Sequence, residues 1–108
     1  MKIENFDVGD AVIVRFDGRL DTSTATDALA HFRVLVDDGR ELIIADFSSV
    51  DFVSSAGLRV LLATAKNIGS SGSLRLFGLN PSVQEVFDVS GFSTILAIFD
   101  DEASALEG

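Results

Sequence analysis

The chain has 108 residues, of which 47% are apolar and 23% charged, a composition that fits one small globular domain with a single core. Its 17 acidic against 8 basic residues give a formal net charge of -9, which argues against nucleic acid or an anionic membrane as a partner, since both reward clustered Lys and Arg. There is no cysteine for a disulfide or thiolate site, no apolar leader after Met1 and no run of the ~18–20 apolar residues that a membrane span needs, so a soluble cytoplasmic protein is the expectation.

Ile3 to Val8 alternates weakly and reads as a strand. Gly9-Asp10 then reads as a tight hairpin turn into a second strand, Ala11 to Phe16, with Val12, Val14 and Phe16 on one face. Asp17-Gly18 is expected to end it. The short polar side chains of Asp21-Thr22-Ser23-Thr24 suit a loop and helix cap. The helix that follows places Ala25, Leu29, Phe32 and Val36 on one stripe and stops at Asp37-Asp38-Gly39.

Glu41 to Phe47 is the central strand: four consecutive apolar residues, Leu42 to Ala45, predict cover on both faces and parallel neighbours. Ser48 to Phe52 reads as a lead-in to a helix over about Ala56 to Ile68, with Leu58, Leu61, Leu62, Ala65 and Ile68 inward. Ser73 to Leu79 is the next strand. Asn80-Pro81 is a strong helix start, with Val83, Val86 and Phe87 as its apolar stripe and Gly91 as its end. Ile95 to Phe99 is the last strand. Asp100-Asp101-Glu102 opens a short final helix, docked by Ala103 and Leu106. The order predicts one α/β domain over residues 1–108: a single mixed sheet of about five strands and four helices, with an N-terminal antiparallel hairpin followed by βαβ units.

Few residues can carry chemistry. Around Ser55 only Gly57 of a G-x-S-x-G elbow is present, with Val53 where the first glycine belongs. The only histidine, His31, falls in the middle of the first helix, so no base is placed beside that serine. With one His and no Cys, metal sites would need carboxylates, and the adjacent pairs Asp37-Asp38 and Asp100-Asp101 diverge and read as solvated charge. No phosphate-binding G-x-x-x-x-G-K-[ST] occurs. The expectation is no enzyme, no cofactor and no metal.

What remains is a surface. Asp21, Thr22 and Ser23 follow one strand, and Ser54 and Ser55 follow another, so the two loops can lie side by side at one end of a sheet. Each run can simply cap a helix. Each can also present an anion seat, because free N–H groups and the positive end of the dipole converge there. Gly57 is expected to leave the backbone around Ser55 open.

The segment Phe52-Val53-Ser54-Ser55-Ala56-Gly57-Leu58 resembles the signature of the STAS family, and Gly18-Arg19-Leu20-Asp21 resembles that family's Gly-x-Leu-Asp. The likeness extends over the order of elements, most closely to the free-standing bacterial anti-sigma factor antagonists. It implies a STAS-like fold and a non-catalytic partner switch. In such systems the unphosphorylated antagonist binds an anti-sigma factor that is also a serine kinase, and the sigma factor is freed. The kinase modifies the antagonist's serine, and a PP2C-type phosphatase restores it.

Carried over by position, the phosphorylated serine is Ser55; Ser54 stands where the family has Asp, lacks that acidic charge, and is the alternative acceptor. Ala56 stands in the place of a Ser or Thr, and Arg59 in a place that is often Gly. The implied partner surface is Asp21, Thr22, Ser23, Ser54, Ser55, Gly57 and Arg59, on a monomer or weak dimer. Two other readings stand beside it: an unphosphorylated STAS module within a signalling assembly or a transporter accessory complex, and a nucleotide- or anion-binding domain at the same two loops.

Overall fold

The computed structural model describes residues 1–108. The elements run β1 (Lys2–Val8), β2 (Ala11–Leu20), α1 (Thr22–Asp37), β3 (Leu42–Val53), α2 (Ser55–Ile68), β4 (Ser73–Phe77), α3 (Pro81–Ser90), a 3-10 turn (Phe92–Thr94), β5 (Ala97–Phe99) and α4 (Glu102–Glu107). One sheet holds the strands in the order β1-β2-β3-β4-β5. β1 and β2 are antiparallel across the Gly9-Asp10 turn, where Gly9 takes a φ of 58°, and the remaining pairs are parallel. The expected mixed sheet and the count of strands and helices are therefore found.

The two faces of the sheet are filled differently. Val12, Val14 and Phe16 of β2 join Ile43, Ala45 and Phe47 of β3 under Phe32 of α1, Leu61 of α2 and Phe87 of α3 in the larger core. Phenylalanine rings link these layers: Phe16 lies 5.4 Å from Phe32 and 5.8 Å from Phe47, and Phe47 lies 6.3 Å from Phe87, in tilted or edge-on geometry. The opposite face carries Ala11, Ile13, Ile44 and Phe77, covered by Ala105 and Leu106 of α4. Ala103, expected to dock α4, is exposed, and Ala105 takes that place. The Arg75 guanidinium donates to the Ala105 carbonyl at 2.7 Å and holds this short helix down.

Two strands run farther than expected. β2 does not stop at Asp17-Gly18 but continues to Leu20, and β3 continues through Ser48–Phe52 to Val53. The pairing explains both. Arg15 faces Asp46 but Asp17 faces Ser49, and Gly18 faces Val50 but Arg19 faces Phe52, so β3 carries an extra residue at each step. The inward residues of β3 then fall at Phe47, Val50 and Val53, a spacing of three in place of two, opposite Phe16 and Leu20. Asp46, 2% exposed, secures the first irregularity: its carboxylate accepts from the Ser48 N–H at 2.9 Å and hydroxyl at 2.6 Å, and pairs with Arg15 at 3.0 Å. Other ends shift less: β4 stops at Phe77, and β5 begins at Ala97 after the 3-10 turn.

Candidate functional site: two helix starts at one end of the sheet

Because β2 and β3 are parallel neighbours and Leu20 lies opposite Val53, the chain leaves both strands at the same end of the sheet. Each strand passes into a helix through a single residue, Asp21 before α1 and Ser54 before α2. The Ser54 N–H donates to the Leu20 carbonyl at 2.9 Å and ties the two turns together. The structure thus brings Asp21, Thr22 and Ser23 beside Ser54 and Ser55, as expected.

Asp21 is the N-cap of α1 rather than a free loop charge. Its carboxylate accepts from the Ser23 N–H at 3.0 Å, the Ser23 hydroxyl at 2.7 Å and the Thr24 N–H at 3.3 Å. The Thr24 hydroxyl accepts from the Asp21 N–H at 2.9 Å and closes a capping box, while donating to the Arg19 carbonyl at 2.7 Å. Arg19 adds a longer contact, 3.5 Å from Asp21. The Ser23 hydroxyl first, then the two backbone N–H groups and Arg19, hold the Asp21 carboxyl below the ordinary carboxylate range. Thr22 and Ser23 are exposed in the first turn.

The start of α2 is built more loosely. Ser54 is half-buried, and its hydroxyl oxygen caps the helix by accepting from the Gly57 N–H at 3.3 Å. Ser55 is the first helical residue; it is exposed, and its hydroxyl engages no protein group. One serine of the pair is committed and the other is free.

Gly57 corrects an expectation. It is buried, and a Cβ there would lie 2.8 Å from both the Leu20 carbonyl oxygen and Leu20 Cγ, and 3.1 Å from Val53 Cγ1. Its missing side chain lets α2 sit down on the ends of β2 and β3 and does not open the backbone to a visitor. Arg59 is exposed on the outer side of α2.

Sequence reasoning passed over the surroundings of Ser55. Phe52, 38% exposed, carries the Arg19 guanidinium over its ring at 4.3 Å. A groove of about 600 Å³ runs from Phe52, Ser55 and Leu58 across to Glu85, Val86 and Val89 of α3. Val89 is 81% exposed. It lies off the Val83–Val86–Phe87 stripe, and that displacement was the available signal. By contrast, the strand order never reverses, so no crevice opens between the two loops of the kind that holds nucleotides in doubly wound sheets. His31 lies along α1 and bonds Asn5 of β1 through Nε2 at 2.6 Å, with partial burial pulling its pKa down.

Comparison with known proteins agrees with this architecture. The STAS domain model matches residues 2–105, and the chain belongs to that family. A Bordetella bronchiseptica protein named as an anti-sigma factor antagonist, BtrV, is 33% identical, the match covering 97% of this chain and 91% of that protein. The anti-sigma F factor antagonist of Paenibacillus polymyxa is 31% identical over 88% of this chain and 83% of its own length. A Thermotoga maritima crystal structure, described as that of an anti-sigma factor antagonist, superposes with a TM-score of 0.91 at 26% identity, covering 97% of this chain and 92% of that one. No helix of this chain is long and apolar enough to cross a membrane.

Proposed function

We propose that this protein is an anti-sigma factor antagonist that works by partner switching. In its unmodified form it binds an anti-sigma factor that is also a serine kinase, and the sigma factor is released. The binding face comprises the Asp21 turn with Thr22 and Ser23, the Ser54-Ser55 turn, Arg59 and the groove beside Phe52. The names of the relatives support the partner class. Gly57 serves this face indirectly, by setting how closely α2 approaches β2.

The switch is phosphorylation of Ser55. The γ-phosphoryl group of ATP passes to Ser55 Oγ, the hydroxyl proton leaves to a base on the kinase, and ADP departs. A PP2C-type phosphatase returns the serine. The observation that carries this reading is the division of labour within the pair: the Ser54 hydroxyl is spent on the Gly57 N–H, whereas the Ser55 hydroxyl is exposed and unengaged. A phosphate there adds about -1.5 to -2 charges to a contact surface, where an unpaired and desolvated charge costs several kcal/mol. The same anion is tolerated in the free protein at the positive end of a 14-residue helix.

Treatment with ATP and an anti-sigma factor kinase, followed by peptide mass spectrometry, tests the assignment. Modification at Ser55 with loss of kinase binding is the expected result. Modification only at Ser54, Thr22 or Ser23 moves the switch elsewhere. Tight binding without any modification favours an unphosphorylated STAS module, a reading to which Ser54 in place of the family's Asp lends weight.

A further inference from the structure

Five of the eight cations have evident partners. Lys2, Arg15, Arg19 and Arg40 pair with carboxylates, and Arg75 donates to the end of α4. Of the other three, Lys66 lies in the last turn of α2, where the helix dipole favours a cation, and Arg33 has Asp37 one turn along α1. Arg59 has neither. α2 contains no acid at all, and the part of α1 that flanks Arg59 presents Ala25, Thr26 and Leu29. Arg59 is a charge for which the unmodified protein offers no counter-charge.

Its position supplies one. Ser55 and Arg59 are four residues apart on α2, so they lie about 40° apart around the axis and about 6 Å along it, both on the solvent side. Anion before cation at this spacing is the favourable order on a helix. On the other side of Ser55, across the groove, stands Glu85 of α3. A phosphate on Ser55 is repelled from Glu85 and drawn along the helix toward Arg59, whose planar fork suits phosphate oxygens.

We propose that Arg59 is the intramolecular counter-ion of a phosphate on Ser55, holding it against the outer ridge of α2. The proposal rests on the reading that Ser55 is the modified serine. Arg59 then has different partners in the two states: it is free to meet the anti-sigma factor in one and is occupied in the other. A single modification both adds an anion to the face and removes a cation from it.

The test installs phosphoserine at position 55 during translation and follows the phosphate by 31P NMR against pH. The second ionisation of phosphoserine lies near ~6. With Arg59 in place it should fall lower than in the Arg59→Gln variant by roughly 0.15–0.4 pH unit, a gap that closes as salt is raised. Arg59→Lys should recover part of the shift, and Lys66→Gln, more than two turns away, none. A concurrent shift of the Arg59 Nε–H signal on modification is expected. Equal titrations for wild type and Arg59→Gln overturn the proposal. So does a shift that disappears with Arg19→Gln and not with Arg59→Gln, since Arg19 is then the counter-ion. Because the phosphoserine is encoded, this result does not depend on any kinase, and failure of a kinase to modify Ser55 would reject the functional reading separately.

Discussion

The starts of α1 and α2 lie side by side and are made from similar short polar residues, yet they are in opposite states. At α1 the Asp21 carboxylate is engaged by two backbone N–H groups and the Ser23 hydroxyl, and Thr24 closes the box from the other side. At α2 a single bond of 3.3 Å from Gly57 N–H to Ser54 does the capping, and the adjacent Ser55 hydroxyl is idle. A polar run before a helix is therefore not one kind of object. What decides whether such a group can act is whether its own bonding capacity is already used, and the composition of the run does not report that.

The contrast can be tested at several points. The largest effect should come from Ser55→Asp, which places a charge at the free start and should weaken anti-sigma factor binding by about 2–5 kcal/mol, at least roughly thirtyfold, in a calorimetric titration. The Ser55→Ala variant should bind and resist switching. Unchanged affinity for Ser55→Asp would remove this turn from the interface. Next comes Gly57→Val. Its side chain would meet the Leu20 carbonyl and Val53, and the small helix-propensity gain over glycine does not offset that clash. A loss of about 2–3 kcal/mol in urea unfolding is expected. A stable Gly57→Val would mean that α2 is free to ride away from the sheet.

Smaller effects separate cap from charge at the locked start. Asp21→Ala should cost about 1 kcal/mol of stability, whereas Asp21→Asn, an equally good cap, should stay within about 0.5 kcal/mol. If Asp21→Asn nonetheless slows association with the partner, and less so in high salt, the carboxylate has a second role beyond capping. Ser54→Ala should fall at the lower end, near about 0.5 kcal/mol, because the bond it removes is long.

The smallest effect concerns pH. The Asp21 pKa is depressed on folding, so its contribution is complete above the unfolded value near ~3.9 and is lost as pH falls through the lower folded one. Wild type should therefore lose in acid a small increment of stability that Asp21→Asn does not lose, read as converging urea midpoints below the ordinary carboxylate range.

How much of this was legible depended on local grammar. The Asn80-Pro81 start and the Asp37-Asp38-Gly39 stop were readable because each acts through its own backbone: Asn80 accepts from the Val83 N–H at 2.8 Å, and Gly39 takes a φ of 82°. The family resemblance singled out two turns that the structure brings together at one end of the sheet. The second half of β3 was not readable as a strand, because its irregular pairing spaces Phe47, Val50 and Val53 by three and leaves no alternation to detect. Gly18 reads as a breaker, but it occupies an irregular step in β2 at a φ of 120°, and the strand continues past it. The role of Gly57 depends on Leu20, a residue of another element, and nothing local announces it. The same holds for the groove beside Ser55, which Phe52 of β3 and Val89 of α3 line together only once α3 has packed against β3.

The irregular pairing of β2 with β3 also bears on how the chain comes together. Every strand lies next to its predecessor in sequence, and the ladder from Ala11–Arg15 to Leu42–Asp46 is the regular part of the β2–β3 pairing. The stretch beyond it, from Asp17 to Leu20 against Ser49 to Val53, must zip across two register steps. It should close last and open first, giving less amide exchange protection at Arg19, Phe52 and Ser54 than at Val14 and Ala45. The turn that carries Ser55 then hangs from the less regular end of the central ladder, which should open locally while the ladder from Ala11 to Arg15 stays paired.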